Sequence, residues 1–227
     1  MIREIFADGK SEKLFLKEYR ERNEAADTEI TKRVRDIIEN VRQNGDSAVA
    51  EYTLKFDGAL PPAVEIGKDE IEKALVEADR GFVEALKHAK ANIEDFHRRQ
   101  KQQGFINVAS DGVILGQRVR GLARVGIYVP GGTAAYPSSV LMNAIPAKIA
   151  GVREIIMATP QRKDGTANPD ILAAAAICGV DRVFLVGGAQ AVAAMAFGTE
   201  TIPRVDKIVG PGNIYVATAK RLLYGRK

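Results

Sequence analysis

VDRVFLVGGAQAVAAMAFG, residues 180–198, decides how the second half of the chain is read. Its β-branched apolar run, RVFLV, meets the pair Gly187-Gly188. An Ala-rich helical stretch of about 189–197 follows, and Gly198 stops it. The same order recurs on either side. ARVGIYV (123–129) precedes a helical stretch at about 138–150, EIIMA (154–158) precedes one at 168–178, and VDKIVG (205–210) precedes IYVATAKRLL, which Asn213 opens. Strands that are apolar almost throughout, each separated from the next by a helix, predict a parallel sheet covered on both faces. The punctuation agrees: Asn168-Pro169 supplies a cap and a first-turn proline before ILAAAAIC, and Gly179 ends that helix.

Upstream, the rhythm changes from alternating strands and helices to helix after helix, from residue 28 to about 101. In TEITKRVRDIIENVRQNG, Ile30, Val34, Ile37, Ile38 and Val41 share one helical face, and Gly45 stands in the usual stop position. Asp46 is read as the cap of a following helix that turns Val49, Tyr52, Thr53 and Phe56 inward. After a Pro-Pro break and a strand-like VEI, Asp69 is expected to cap a segment carrying Ile71, Leu75 and Ala78. A helix with Phe82, Leu86, Ala89, Ile93 and Phe96 comes next. Residues 105–120 hold two β-like runs around Asp111-Gly112, which predicts a tight β-ribbon. The expected class is α/β, a parallel Rossmann-like sheet flanked by helices. The expected sections are a helical part (1–104), a ribbon (105–122) and a βαβ part (123–227), packed as one body.

Composition narrows the function. A charged start, MIREIFADGK, lacks the apolar run of roughly 7–15 residues that a secretory signal needs. The most apolar stretch, ILAAAAICGV, is shorter than the roughly 20 residues that cross a bilayer, so a cytoplasmic protein without a membrane segment is expected. Cys178 is the single cysteine, which excludes an internal disulfide and reads as a small buried hydrophobe. The net charge of +4 comes from interleaved acidic and basic residues, as in KDEIEKALVEADR. That is a solvated helix face and not a nucleic-acid stripe, and the basic end, AKRLLYGRK, is read as a frayed terminus.

Chemistry gathers where strands end. Pro130-Gly131-Gly132 follows GIYV, Gly187-Gly188-Ala189-Gln190 follows RVFLV, and Gly210-Pro211-Gly212-Asn213 follows KIV. Any one of these loops is explained by a tight turn. Three on the carboxyl edge of one sheet, each opening a helix, point to a dinucleotide or phosphate site. It is an atypical one, since GPGNIY lacks the third glycine of G-x-G-x-x-G and GGTAAYPSS lacks the lysine of a Walker loop.

The strings GIYVPGGTAAYPSSVLMNAIPAKIAG, VFLVGGAQAVAAMAFGTETIPRVDKIVGPGN and NIEDFHRRQ resemble the N-terminal half of histidinol dehydrogenases, from about residue 28 onward. The resemblance implies an aldehyde-dehydrogenase-like fold in a homodimer and two NAD-dependent oxidations of L-histidinol to L-histidine. It carries NAD contacts onto Tyr128, Gln190 and Asn213. Read without it, Tyr128 is a half-buried strand aromatic, Gln190 a turn residue and Asn213 an N-cap; Ser138 and Ser139 read as caps of the helix they precede. The family's zinc ligands and its Glu-His acid–base pair match nothing here, and the two histidines, His88 and His97, lie on predicted helices before the sheet. The chain is therefore expected to be a truncated portion that folds but neither holds zinc nor turns over alone. The alternative is a stand-alone nucleotide-binding or interaction module without catalysis.

Overall fold

The computed structural model describes residues 4–5, 7–131 and 135–225, with the backbone alone for 20–27. Its elements are α1 (Ser11–Asp57), β1 (Glu65–Ile66), α2 (Lys68–Glu77), α3 (Arg80–Arg98), β2 (Phe105–Val108), β3 (Ile114–Gln117), β4 (Arg124–Tyr128), α4 (Pro137–Ile149), β5 (Glu154–Thr159), α5 (Pro169–Cys178), β6 (Arg182–Leu185), α6 (Gly188–Phe197), β7 (Lys207–Val209) and α7 (Ile214–Leu223). The four expected strands are all present and mutually parallel, in the order β6-β5-β4-β7. The chain steps outward from β4 through β5 to β6, then returns to the other side of β4 as β7. Strand order therefore reverses between β4 and β7, the place where open α/β sheets bind ligands. β1 closes the opposite edge antiparallel to β6, and the Arg182 guanidinium donates to both carboxylate oxygens of Glu65 (2.7 and 2.6 Å).

Alternating strand residues feed two cores. Val125, Ile127, Ile155, Met157, Val183 and Leu185 pack with α2, α3, α4 and α5 on one face. Tyr128, Ile156, Ala158, Phe184 and Val186 pack with α1, α6 and α7 on the other. The N-terminal helices thus clad both faces of the sheet. That double cover explains why the strands are apolar on both sides and do not alternate with polar residues.

Several local expectations are corrected. α1 reaches back to Ser11, and at Gly45 the backbone leaves helical geometry (φ 52°, ψ −130°), so two helical pieces meet there at a kink, in keeping with the expected stop. The Asp46 carboxylate accepts from the Thr201 hydroxyl, which draws the kink toward the loop after α6. Val34, Ile37, Ile38, Val41, Val49, Tyr52 and Thr53 are buried as expected, but Phe56 is 55% exposed. Gly67 is the N-cap of α2, so Asp69 sits in the first turn, where its charge still favours the helix dipole. Pro137 takes the first position of α4, which makes Tyr136 the N-cap and leaves Ser138 and Ser139 inside the helix. Asn168 caps α5 through Oδ1, and Gly179 closes it in the left-handed conformation, both as expected. The ribbon β2–β3 exists, but it turns through a longer loop than a two-residue hairpin, closed by Ala109 N–H donating to the Val113 carbonyl (2.8 Å). Every ribbon residue is exposed.

Candidate functional site

Tyr128, Gln190 and Asn213 line one cleft of about 640 Å³. It opens at the carboxyl ends of β4 and β6, where Tyr128 at the end of β4, Pro160 after β5, the loop after β6 and Asn213 after β7 meet, and α1 walls it on the outer side. Gly131 ends the described part of the first loop; Gly132 lies outside the described residues.

Tyr128 ends β4 with its ring 4% exposed, and its hydroxyl accepts from the Gly188 N–H (3.1 Å). Burial holds its phenol above the ordinary value; the Gly188 N–H opposes that, and the nearby Asp57 carboxylate adds to it. The hydroxyl consequently keeps its proton and can donate it into the cleft. Gly188 has φ +67°, and a Cβ there would stand 2.5 Å from the Gln190 Oε1, so this turn admits the Gln190 amide only because residue 188 has no side chain. Gln190 is 1% exposed, and its Oε1 has no hydrogen-bond partner. A buried unpaired amide oxygen costs about 1–3 kcal/mol, so a donor from a bound molecule is favoured there.

The three helix starts differ. Asn168 caps α5, and Asn213 caps α7, its Oδ1 accepting from Tyr215 N–H (3.0 Å) and Val216 N–H (3.1 Å). α6 has no side-chain cap. Its first-turn N–H groups, one of them held by Tyr128, are those left for an anion. Asn213 therefore works as an N-cap, and only its Nδ2 remains for a ligand. The opposite wall was not foreseen: Arg33, Asp36, Tyr52, Phe56 and Asp57 all line the cleft from α1. In sequence these residues are one stretch of amphipathic helix. Only the Phe56-Asp57-Gly58 ending sets them apart, and a helix stop carries no message about a ligand.

A larger groove of about 740 Å³ runs elsewhere, past His97, Val119, Val125, Met142 and Val209. None of the three loops lines it. His97 shares a hydrogen bond between its Nδ1 and Gln100 Oε1 (2.7 Å), a structural contact, and His88 is exposed on α3. Cys178 is buried and its thiol is pushed up to about 11, in keeping with its reading as a small core residue. Among the described residues, no three of His, Cys, Asp and Glu stand together as metal ligands.

Residues 20–227 match the family described as histidinol dehydrogenase. The histidinol dehydrogenase of Clostridium acetobutylicum is 55% identical over 223 residues, 97% of this chain and 52% of that protein. The one from Listeria innocua is 57% identical over 197 residues, 87% of this chain and 46% of that protein. The crystal structure of histidinol dehydrogenase from Elizabethkingia anophelis superposes with a TM-score of 0.79 at 40% identity, covering 85% of this chain and 44% of that one. The chain spans about half the length of the relatives it matches.

Proposed function

Since the chain belongs to the histidinol dehydrogenase family, we propose that it supplies the NAD-binding wall of an enzyme that oxidises L-histidinol to L-histidine in histidine biosynthesis. The observation that carries this reading is the convergence of Tyr128, Gln190 and Asn213 on one cleft where strand order reverses. The residues present fit a dinucleotide. The orphaned Gln190 Oε1 accepts from it, the uncapped start of α6 faces its phosphates, and the Tyr128 hydroxyl and Asn213 Nδ2 donate to it. Bound NAD supplies the hydride acceptor; this chain's residues hold and orient it.

The described residues do not fit zinc. Proton removal falls to groups outside this chain in our reading. His88 and His97 both sit on α3, which packs against α4 and α5 on the face of the sheet opposite α1. We read residues 1–104, 105–122 and 123–227 as sections of one body, cytoplasmic, homodimeric as the whole enzyme, with a small-molecule substrate and no nucleic acid or membrane partner. No described helix is long and apolar enough to cross a membrane.

Calorimetric titration of NAD into the purified chain tests the cleft. Gln190→Ala is expected to weaken binding by on the order of tenfold, the scale of one buried hydrogen bond. Equal affinity for both proteins removes Gln190 from the site. NADH formation from histidinol by this chain alone, at the rate of a full-length relative, overturns the assignment of the chemistry to other residues.

A further inference from the structure

Resting on the dinucleotide reading of the cleft, we propose that Asp57 receives the hydroxyls of the adenosine ribose and makes the site reject a 2′-phosphate, so that the cleft selects NAD over NADP. Asp57 is the last residue of α1. Its position is set by Gly58, which ends the helix in the left-handed conformation and donates its N–H to the Leu54 carbonyl (3.0 Å). The carboxylate lines the cleft together with Tyr128, Gly187 and Gly188.

Among the described residues no hydrogen bond or ion pair holds it, although two cations line the same cleft. The Arg33 guanidinium is bound to Glu29 (2.5 Å), and the Lys55 ammonium lies 5.9 Å over the Phe56 ring. Burial alone raises the Asp57 carboxyl above its ordinary value. Asp57 is exposed at the cleft mouth, yet its carboxylate has lost part of its water without gaining a donor, and a ligand hydroxyl pair supplies what it lacks: two O–H donors for two oxygens, with no charge to repel. A 2′-phosphate at the same place brings acceptors and a charge of roughly −1.5 to −2 against a carboxylate, which favours neither.

The neighbours point to the adenosine end. Tyr52 and Phe56, stacked at 5.8 Å between centroids, line the cleft one turn and one residue before Asp57, and such a wall suits a purine. The other carboxylate of the cleft, Asp36, stands three residues from Arg33 on the same helix, with a counter-charge one turn away.

The test titrates NAD and NADP separately into the wild-type chain, Asp57→Asn and Gln190→Ala, with thermal unfolding run on each. Asp57→Asn keeps the shape and removes the charge; Asp57→Ser, run in parallel, opens room for a phosphate. The wild type is expected to bind NAD at least tenfold more tightly than NADP. Both Asp57 variants are expected to lose about tenfold for NAD while the gap to NADP narrows, with unfolding temperatures unchanged. If the wild type binds NAD, Gln190→Ala weakens it, and the Asp57 variants keep both affinities, the role of Asp57 is overturned and the dinucleotide reading stands. If the wild type binds neither dinucleotide, both fall together.

Discussion

The cleft has two walls of unlike origin. The inner wall is made of strand-end loops, and each contributes residues next to its own strand: Tyr128 ends β4, Gln190 sits two residues into α6, and Asn213 caps α7. The outer wall is one face of α1, whose residues 33–57 lie more than 70 positions upstream of the first loop residue they oppose. The first wall is local geometry repeated three times. The second exists only because α1 docks Val34, Ile37, Ile38 and Val41 on the sheet face that α6 and α7 also cover. Sequence motifs therefore report the half of a binding site that the sheet builds, and tertiary docking supplies the other half without a motif.

The largest effect should come from breaking the sheet that carries the inner wall. Ile127 is fully buried in the interior strand β4, between β5 and β7. Ile127→Ala should cost near the top of the roughly 2–5 kcal/mol range for such deletions, because neighbouring strands on both sides prevent collapse into the cavity. Ile37→Ala, at 6% exposure on α1, should fall near the bottom of that range, since a helix docked on a sheet can settle inward. Denaturant midpoints of the two variants decide it. Equal losses would mean that α1 is as rigidly held as β4.

A smaller loss is expected at the loop that closes the inner wall. Gly210 has φ +113°, and a Cβ there would lie 2.1 Å from the backbone oxygen of Tyr128. Gly210→Ala must shift the end of β4 against the start of the α7 loop, at a cost of about 2–3 kcal/mol from strain and overpacking together. The shift is aimed at Tyr128, so NAD affinity should fall more than stability alone explains. Unchanged binding in a folded Gly210→Ala chain would show that this close approach does not set the Tyr128 position.

Particular residues show what could be read in advance. The parallel strands were legible because β-branched runs buried on both faces leave no polar alternation to confuse them with exposed strands. The convergence of Tyr128, Gln190 and Asn213 followed from topology, since loops after parallel strands share one edge. The early part of α1 was not legible: Leu14, Leu16 and Tyr19 are exposed, so the described residues there show no burial stripe. β1 was visible as a strand but not its antiparallel pairing, which is settled by Glu65 meeting Arg182 across 117 residues. The start of α4 was misplaced although its signal was present, since Pro137 marks a first helical position and so names Tyr136 as the cap.

The smallest expected change in stability falls on the residue that best separates the two walls. Phe56 was read as inward-facing, yet it is 55% exposed; its ring stacks on Tyr52 at an interplanar angle of 12° and lines the cleft. An exposed ring in such a pair contributes little to folding, so Phe56→Ala should cost under about 1 kcal/mol. If α1 is a true wall of the dinucleotide site, the same substitution removes an aromatic surface for the base, worth about 1–3 kcal/mol where bases stack on rings. NAD affinity should then fall by about tenfold while the unfolding curve barely moves. A variant that loses several kcal/mol of stability but keeps its NAD affinity would invert the picture, making the Tyr52–Phe56 pair a brace for the end of α1 and leaving the strand-end loops to bind the ligand alone.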